Sequence, residues 1–157
     1  MTMKRRTFIK GTLAGSAIGI AVGAGLLTPH AVLAAWPKQA FDAKSVADAL
    51  SAVYGSSDAA ASGEISIKAP DIAENGAVVP ITVDTGLEGI QSISVIAEKN
   101  PVPLVATYEL EPSTEGYISM RIKMGKTSDV VAVVKTAGGK LYEARKEVKV
   151  TIGGCGG

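Results

Sequence analysis

Residues 117–136 read Tyr117-Ile-Ser-Met-Arg-Ile-Lys-Met-Gly-Lys-Thr-Ser-Asp-Val-Val-Ala-Val-Val-Lys-Thr136, and this stretch decides the predicted fold. In its first part, Ile118, Met120 and Ile122 alternate with polar residues, which is typical of a strand with one buried face. Its second part is apolar from Val130 to Val134, so that strand should be central and covered on both sides. The stretch therefore predicts two β-strands, one half-buried and one fully buried.

The same alternation extends over most of the chain and is interrupted by turn residues such as Asn75-Gly76 and Gly138-Gly139. Seven short strands at this spacing favour an all-β fold, an immunoglobulin-like antiparallel β-sandwich over residues 64–152, with an open barrel as the alternative. Pro80 predicts that the second strand is an edge or begins at the proline. The predicted strands are Glu64–Lys68, Val78–Asp84, Ile90–Glu98, Leu104–Leu110, Tyr117–Lys123, Asp129–Thr136 and Leu141–Ile152.

A helix and a linker are predicted before the sandwich, over residues 35–63. Apolar residues recur at helical spacing for about three turns, Asp42 is the predicted N-cap, and Gly55 stops the helix. The resulting apolar stripe predicts a docking face, either on this domain or on a partner. It consists of Ala43, Val46, Ala47, Leu50, Val53 and Tyr54.

The N-terminus has the pattern of an export signal. Lys4-Arg5-Arg6-Thr7-Phe8-Ile9-Lys10 precedes an apolar, glycine- and alanine-rich stretch, and Ala34 is a small residue suited to cleavage. The paired Arg5 and Arg6 resemble the twin-arginine signal, which predicts a signal peptide over residues 1–34 and a periplasmic protein. The alternative is the basic region of an ordinary secretory signal.

Cleavage would remove four of the sixteen basic residues, none of the fifteen acidic residues and His30, the only histidine. The remaining domain has twelve basic residues against fifteen acidic ones, a net charge of −3. This balance argues against nucleic acid and, after cleavage, against a membrane surface. Without histidine and with one cysteine, the domain has no Cys/His metal site, no covalent haem motif and no Cys-His or Ser-His-Asp catalytic pair, and we predict neither a metal nor a cofactor.

The last residues are Gly153-Gly154-Cys155-Gly156-Gly157, and Cys155 is the only cysteine. Glycines on both sides remove the side chains that would shield the sulfur or restrict the backbone. The pattern predicts a flexible carrier arm over residues 153–157 that presents a reactive thiol. The alternative is a frayed terminus with an incidental cysteine.

These features together resemble the SoxY family, the sulfur-carrying subunits of the periplasmic Sox thiosulfate-oxidising system. The resemblance covers nearly the whole chain after the signal, and the C-terminal segment is its most specific part. The matching segments are Val148-Lys-Val-Thr-Ile-Gly-Gly-Cys-Gly-Gly157, Ile72-Ala-Glu-Asn-Gly-Ala-Val-Val-Pro80, Glu98-Lys-Asn-Pro-Val-Pro-Leu-Val-Ala106 and Arg121-Ile-Lys-Met124.

The resemblance implies that Cys155 is the covalent sulfur attachment site and that the chain is a carrier, not an enzyme. A haem-containing Sox enzyme would conjugate thiosulfate to Cys155, and a Sox hydrolase would release sulfate. In systems that have one, a sulfane-sulfur dehydrogenase would oxidise the remaining sulfur. The resemblance also implies a heterodimer with a SoxZ-type sandwich subunit.

Two other functions are compatible with parts of the sequence. One is an adhesion or chaperone-type binding module with an incidental thiol. The other is a thiol–disulfide enzyme, which the missing second cysteine opposes. Arg121, Lys123 and Lys126 form a candidate docking face or anion subsite, and their alternative is a solvated strand face. The loop Asn100-Pro101-Val102-Pro103 is interpreted as a turn rather than as a partner contact.

Overall fold

The computed structural model describes residues 38–152, which form two helices and nine strands. The predicted signal peptide with Arg5 and Arg6 lies outside the described residues, as do Cys155 and the glycines of the predicted arm. The helices are α1 (Lys38–Asp42) and α2 (Val46–Tyr54). The strands are β1 (Ala60–Ala61), β2 (Ile65–Lys68), β3 (Ile72–Ala73), β4 (Val79–Thr85), β5 (Ile90–Ala97), β6 (Leu104–Glu109), β7 (Tyr117–Ile122), β8 (Ser128–Thr136) and β9 (Leu141–Val150).

The strands form two sheets. The larger sheet has the order β1-β9-β8-β5-β6, and β3 also pairs with β9; the smaller sheet has the order β2-β4-β7. Every pairing between the longer strands is antiparallel, whereas β1 and β3 run parallel to β9. The all-β sandwich is therefore confirmed, with two short parallel additions that the sequence did not predict. The more specific immunoglobulin-like assignment stays a prediction.

The β8 strand lies at the centre of the fold, as its uninterrupted apolar sequence predicts. Residues Val130 to Val134 are all fully buried. Val130, Ala132 and Val134 belong to the core between the sheets, where β4 and β7 supply the opposing side chains. Val131 and Val133 belong to a second core on the other face, which the helices cover. Because successive side chains of a strand point to opposite faces, one strand contributes to both cores.

The helix α2 packs on this domain's own larger sheet, through Leu50 and the half-buried Val46, Val53 and Tyr54. The prediction that the helix begins at Asp42 is wrong. Asp42 ends α1, and the N-cap of α2 is Ser45, whose extended backbone separates the two helices and whose hydroxyl accepts a 3.1 Å hydrogen bond from the Asp48 amide. Gly55 ends α2 in the left-handed conformation (φ 78°), which glycine adopts without steric cost.

A buried hydroxyl group fixes the end of α2 against the sheet. The Tyr54 hydroxyl shares a 2.6 Å hydrogen bond with Ser94, which in turn lies 2.9 Å from the Thr107 hydroxyl. Burial raises the pKa of Tyr54 above its ordinary value, so the phenol stays protonated near neutral pH. These contacts join α2 to β5 and β6, and they place polar partners beside a core that is otherwise apolar.

All seven predicted strands are present, each with one or both ends shifted by one or two residues, and three differences from the prediction affect the fold. The predicted linker before Gly63 contains β1, which covers the start of β9. The prediction that the Pro80 strand is an edge or begins at the proline is wrong, because β4 begins at Val79 and lies between β2 and β7. The pairing with β2 starts only at Thr82, so Pro80 has β7 as its one partner. The missing amide of Pro80 therefore breaks no ladder bond on the β2 side. The β9 strand ends at Val150 instead of Ile152, because its last paired residue is Val150, opposite Ala73 at the end of β3.

Candidate functional site

The β9 strand leads directly to the predicted carrier arm. Its last residue is Val150, and Ile152 is the last described residue, three positions before Cys155. The structure therefore places the base of the predicted arm at the end of β9.

Residues 71–76, which we call the strap, bind the base of the arm by backbone hydrogen bonds. The amides of Lys149 and Thr151 donate to the carbonyls of Asp71 (3.0 Å) and Ala73 (3.1 Å), in continuation of the parallel β3–β9 pairing. The Gly76 amide then donates to the Ile152 carbonyl at 2.7 Å. Backbone pairing thus continues two residues beyond the strand, as far as Ile152.

Two side-chain hydroxyls add to this attachment. Thr151 Oγ1 donates to the Glu74 carbonyl at 2.9 Å, and Thr127 Oγ1 accepts from the Val150 amide at 2.9 Å. The first bond comes from the strap and the second from the loop between β7 and β8. The base of the arm is consequently held by two separate segments.

The loops at this end of the sandwich are joined into one unit. The Met124 amide donates to the Gly76 carbonyl at 2.7 Å, and the Met124 side chain is fully buried in the core. Asn100 links the next loop: its Nδ2 donates to the Lys123 carbonyl (2.7 Å) and its Oδ1 accepts from the Gly125 amide (2.9 Å). We call residues 71–78, 98–103 and 123–127, together with Ile152, the arm-root platform.

The candidate basic residues fall into two groups in the structure. Lys123 and Lys126 are exposed on the platform, and within residues 38–152 neither makes an ion pair. Arg121 is exposed on β7, beside Pro80 of β4, rather than on the platform. Two of the three basic residues of β9 are paired: Lys146 lies 3.0 Å from Asp71 of the strap, and Arg145 contacts Glu143 and Glu98. The third, Lys149, is exposed and makes no ion pair within residues 38–152.

The ion pairs of β9 are exposed and make a small contribution to stability. The Arg145 guanidinium donates to Glu143 at 2.9 Å, and this hydrogen bond raises the pKa of Arg145. Arg145 is thus engaged with carboxylates of this chain. Within residues 38–152, the cations near the base of the arm that make no ion pair are Lys99, Lys123 and Lys126 of the platform and Lys149 of β9.

Other kinds of functional site receive no support from the described part of the chain. Residues 38–152 contain no group of three metal-ligating side chains, and no helix among them has the length and apolar character needed to cross a membrane. Two open depressions, of about 570 and 490 Å³, lie at the opposite end of the sandwich, one beside Leu141 and the other beside Ile90. Neither adjoins the base of the arm.

Sequence reasoning missed the strap and the role of Asn100. The sequence predicts turns at Asn75-Gly76 and Asn100-Pro101, and both are turns, but their polar groups also bond to segments distant in sequence. A two-residue strand such as β3 is too short to give a periodic signal. The one sequence indication was the polar side chain of Asn100 within an otherwise apolar loop.

The comparisons with known proteins agree with this geometry. A family model described as "Sulfur oxidation protein SoxY" matches residues 50–155. The solved structure of the sulfur carrier protein SoxY from Chlorobium limicola f thiosulfatophilum is 48% identical and superposes with a TM-score of 0.61. The alignment covers 67% of this chain and 94% of that chain.

A more distant structural likeness is to the superoxide reductase (neelaredoxin) from Ignicoccus hospitalis. It is 24% identical over 55% of this chain and 79% of that chain, with a TM-score of 0.49. This degree of similarity carries no functional argument. No curated protein matches the chain at a significant level.

We predict that Asn100→Ala weakens the platform. The substitution leaves the Gly125 amide and the Lys123 carbonyl without their partner, so the free energy of unfolding should fall by about 1–3 kcal/mol. Urea unfolding measures this change, and hydrogen exchange at the Gly125 amide should become faster. Lys99→Ala, at the exposed neighbouring position, is the control and should change stability by less than about 0.5 kcal/mol. Equal stability of both variants would show that Asn100 does not hold the loops together.

Proposed function

We propose, because this chain belongs to the SoxY family of sulfur oxidation proteins, that it holds sulfur intermediates covalently on Cys155 while partner enzymes act on them. Family membership itself indicates a sulfur carrier. The observation that supports the finer statement is the extent of the family match, which runs through the last strand and the glycines and ends on Cys155. The fixed base of the arm at Ile152 is compatible with this role.

The first proposed step joins the Cys155 sulfur to the outer sulfur of thiosulfate. A sulfur–sulfur bond forms, the thiol loses its proton, and an electron pair passes to the haem-containing partner. Water then cleaves the bond between the outer sulfur and the sulfonate group in a hydrolase partner, which releases sulfate and leaves a persulfide on Cys155. Where a sulfane-sulfur dehydrogenase is present, it accepts electrons from the outer sulfur while water supplies the oxygen atoms, which gives a sulfonate group on the Cys155 sulfur. A second hydrolysis releases that group as sulfate and regenerates the thiol.

The partners are proposed to supply the activation of the thiol. The thiolate is the reactive form of cysteine, and a free cysteine with a pKa of about 8.5 is mostly protonated near neutrality. No lysine or arginine follows Lys149 in the sequence, so the arm itself carries no cation to favour the thiolate. A thiol that reacts mainly inside partner active sites undergoes fewer side reactions in an oxidising compartment.

We further propose that the protein is exported by the twin-arginine route as a heterodimer with a SoxZ-type subunit. The paired Arg5 and Arg6 support the route, which carries folded proteins. Since this chain has no predicted cofactor to acquire before export, a folded partner without its own signal gives a reason for that route. Replacing both arginines with lysine should leave the precursor and the partner in the cytoplasm, and normal periplasmic levels of both would contradict the proposal.

Replacing Cys155 with serine tests the carrier function directly. After turnover with thiosulfate and the partner enzymes, mass spectrometry of the wild-type protein should show sulfur-containing adducts that are confined to the C-terminal peptide. The Cys155→Ser variant should show none and should not support thiosulfate oxidation. Full function of that variant would instead favour a binding module with an incidental thiol.

Added bulk on the arm should block access to partner active sites without unfolding the domain. Gly154→Val and Gly156→Val place a branched side chain next to Cys155, and the free energy of unfolding should change by no more than about 0.5 kcal/mol. Turnover with partner enzymes should fall strongly, while a small alkylating reagent should still modify Cys155. Gly138→Val is the matched control, because Gly138 is exposed at the opposite end with no atom within 4 Å of an added Cβ. Normal turnover of both arm variants would show that the glycines are not needed for entry.

A further inference from the structure

We propose that the arm-root platform is the docking face for the enzymes that receive the arm, and that these enzymes present an apolar contact flanked by acidic groups around the entrance to their active sites. This inference rests on the proposed carrier function and adds the surface and the chemistry of the partner. Its evidence lies in the distribution of exposed apolar side chains and of unpaired charges over residues 38–152.

Exposed apolar side chains are concentrated at the platform. Four large apolar residues are exposed in the described part of the chain, and three belong to the platform: Ile72 (59%), Val78 (55%) and Ile152 (68%). The strap hydrogen bonds hold their backbones close together, since Gly76 bonds to Ile152 and Ala73 bonds to Thr151. Single exposed apolar residues are common, but a group around one functional segment is typical of the centre of a protein interface.

The fourth residue, Tyr117 (52%), begins β7 at the opposite end of the sandwich. The β4–β7 register shows this, because Tyr117 pairs with Asp84 while Ile122 pairs with Val79 next to the platform. The apolar group at the base of the arm therefore does not reflect a generally apolar surface.

The charged residues also differ between the platform and the opposite end of the sandwich. On the platform, Lys99, Lys123 and Lys126 are exposed without an ion pair among residues 38–152, whereas Asp71 and Glu98 are each paired with a base of β9. Glu74 is the remaining acidic residue of the platform. The loops at the opposite end have one base, Lys140, and the exposed acidic residues Asp58, Glu64, Glu88, Glu111 and Glu115.

A charge distribution of this kind orients a protein as it approaches a charged surface. An acidic partner surface attracts the platform and repels the opposite end. The carrier therefore approaches the partner with the platform, and the arm that follows it, facing the partner surface. The attraction acts mainly on the association rate and weakens as salt is added. The expected partner is therefore acidic around the entrance that the arm uses.

The length of the arm restricts which partner can occupy this face. Cys155 is three positions after Ile152, and an extended chain covers at most about 3.6 Å per residue, so the Cys155 Cα stays within roughly 11 Å of Ile152. An enzyme that acts on Cys155 inside its own structure must therefore contact the surface around Ile152. A permanent subunit on the same surface would obstruct that access, which assigns the SoxZ-type partner to another face.

The first experiment removes the apolar centre of the platform in the full exported chain with its sandwich partner. Ile72→Ser/Val78→Ser should raise the KM of the thiosulfate-conjugating enzyme for the carrier at least about tenfold, with kcat nearly unchanged. Tyr117→Ser is the matched control, because it removes the fourth exposed side chain at the opposite end, and it should leave KM within about twofold. Equal KM values for all three proteins would overturn the proposal.

The second experiment removes the charges. Lys123→Gln/Lys126→Gln should lower kcat/KM at low salt several-fold and reduce its dependence on ionic strength, whereas Lys135→Gln/Lys140→Gln, away from the platform, should not lower it. A rise in kcat/KM for the platform variant would show that the partner surface is basic and would overturn the proposed chemistry.

Two further measurements separate this proposal from the carrier function. Thermal unfolding and co-purification with the SoxZ-type subunit should be unchanged in Ile72→Ser/Val78→Ser, and loss of the heterodimer would instead assign the platform to that permanent interface and overturn the proposal. Detection of sulfur adducts on the wild-type carrier by mass spectrometry tests the carrier function alone. If adducts form normally and the platform variants keep the wild-type KM, the carrier function is supported and the proposal of a docking face is wrong.

Discussion

The rest of the structure depends on the burial of both faces of β8. Residues Val130 to Val134 carry no polar side chain, and none of them is exposed to solvent. One face needs the smaller sheet opposite it, and the other needs the helices, so both layers are required to remove this single strand from water. The N-terminal helices are therefore part of the folded domain, and the buried Tyr54–Ser94 contact fixes how α2 sits on the sheet.

The central position of β8 makes β9 its neighbour, and this has a consequence for function. The outer side of β9 would be an open edge, with unpaired amides and carbonyls. Two short parallel strands cover it, β1 near its start and β3 near its end. The covering at the end of β9 continues into the strap, which bonds the chain as far as Ile152. Protection of a sheet edge and attachment of the arm are thus achieved by the same residues.

Carrier function divides the molecule into parts with different requirements. The proposed function requires backbone freedom and little steric bulk around the Cys155 sulfur, and glycine is the residue type with the widest backbone freedom and no side chain. The partner enzymes need a defined surface from which the arm emerges, and the hydrogen bonds of Asn100, Gly76 and Thr151 provide that definition. Met124 anchors the same loops to the core between the sheets. The domain thus connects a strongly buried interior to a proposed binding surface through a few loop contacts.

The sequence by itself determined the features that have a local or periodic cause. Alternating apolar residues predicted most of the seven longer strands, and the uninterrupted apolar run from Val130 to Val134 predicted the central place of β8. Gly55 marked the end of α2, because the left-handed conformation there favours glycine. The terminal residues around Cys155 identified the family, which the family model and the similar solved structure then showed.

Only the tertiary structure decided which segments meet at the base of the arm. Neither β1 nor β3 is long enough to show an alternation of apolar and polar residues. Their parallel pairing with β9 depends on long-range contacts that leave no local sequence pattern. Ser45 and Asp42 are both good N-caps in sequence terms, and the extended backbone at Ser45 decided between them. Asn100 has the composition of a turn, and its bonds to Lys123 and Gly125 exist because folding brings two loops together. Periodicity reports which face of an element is buried, whereas hydrogen bonds between loops depend on where the completed fold places their ends.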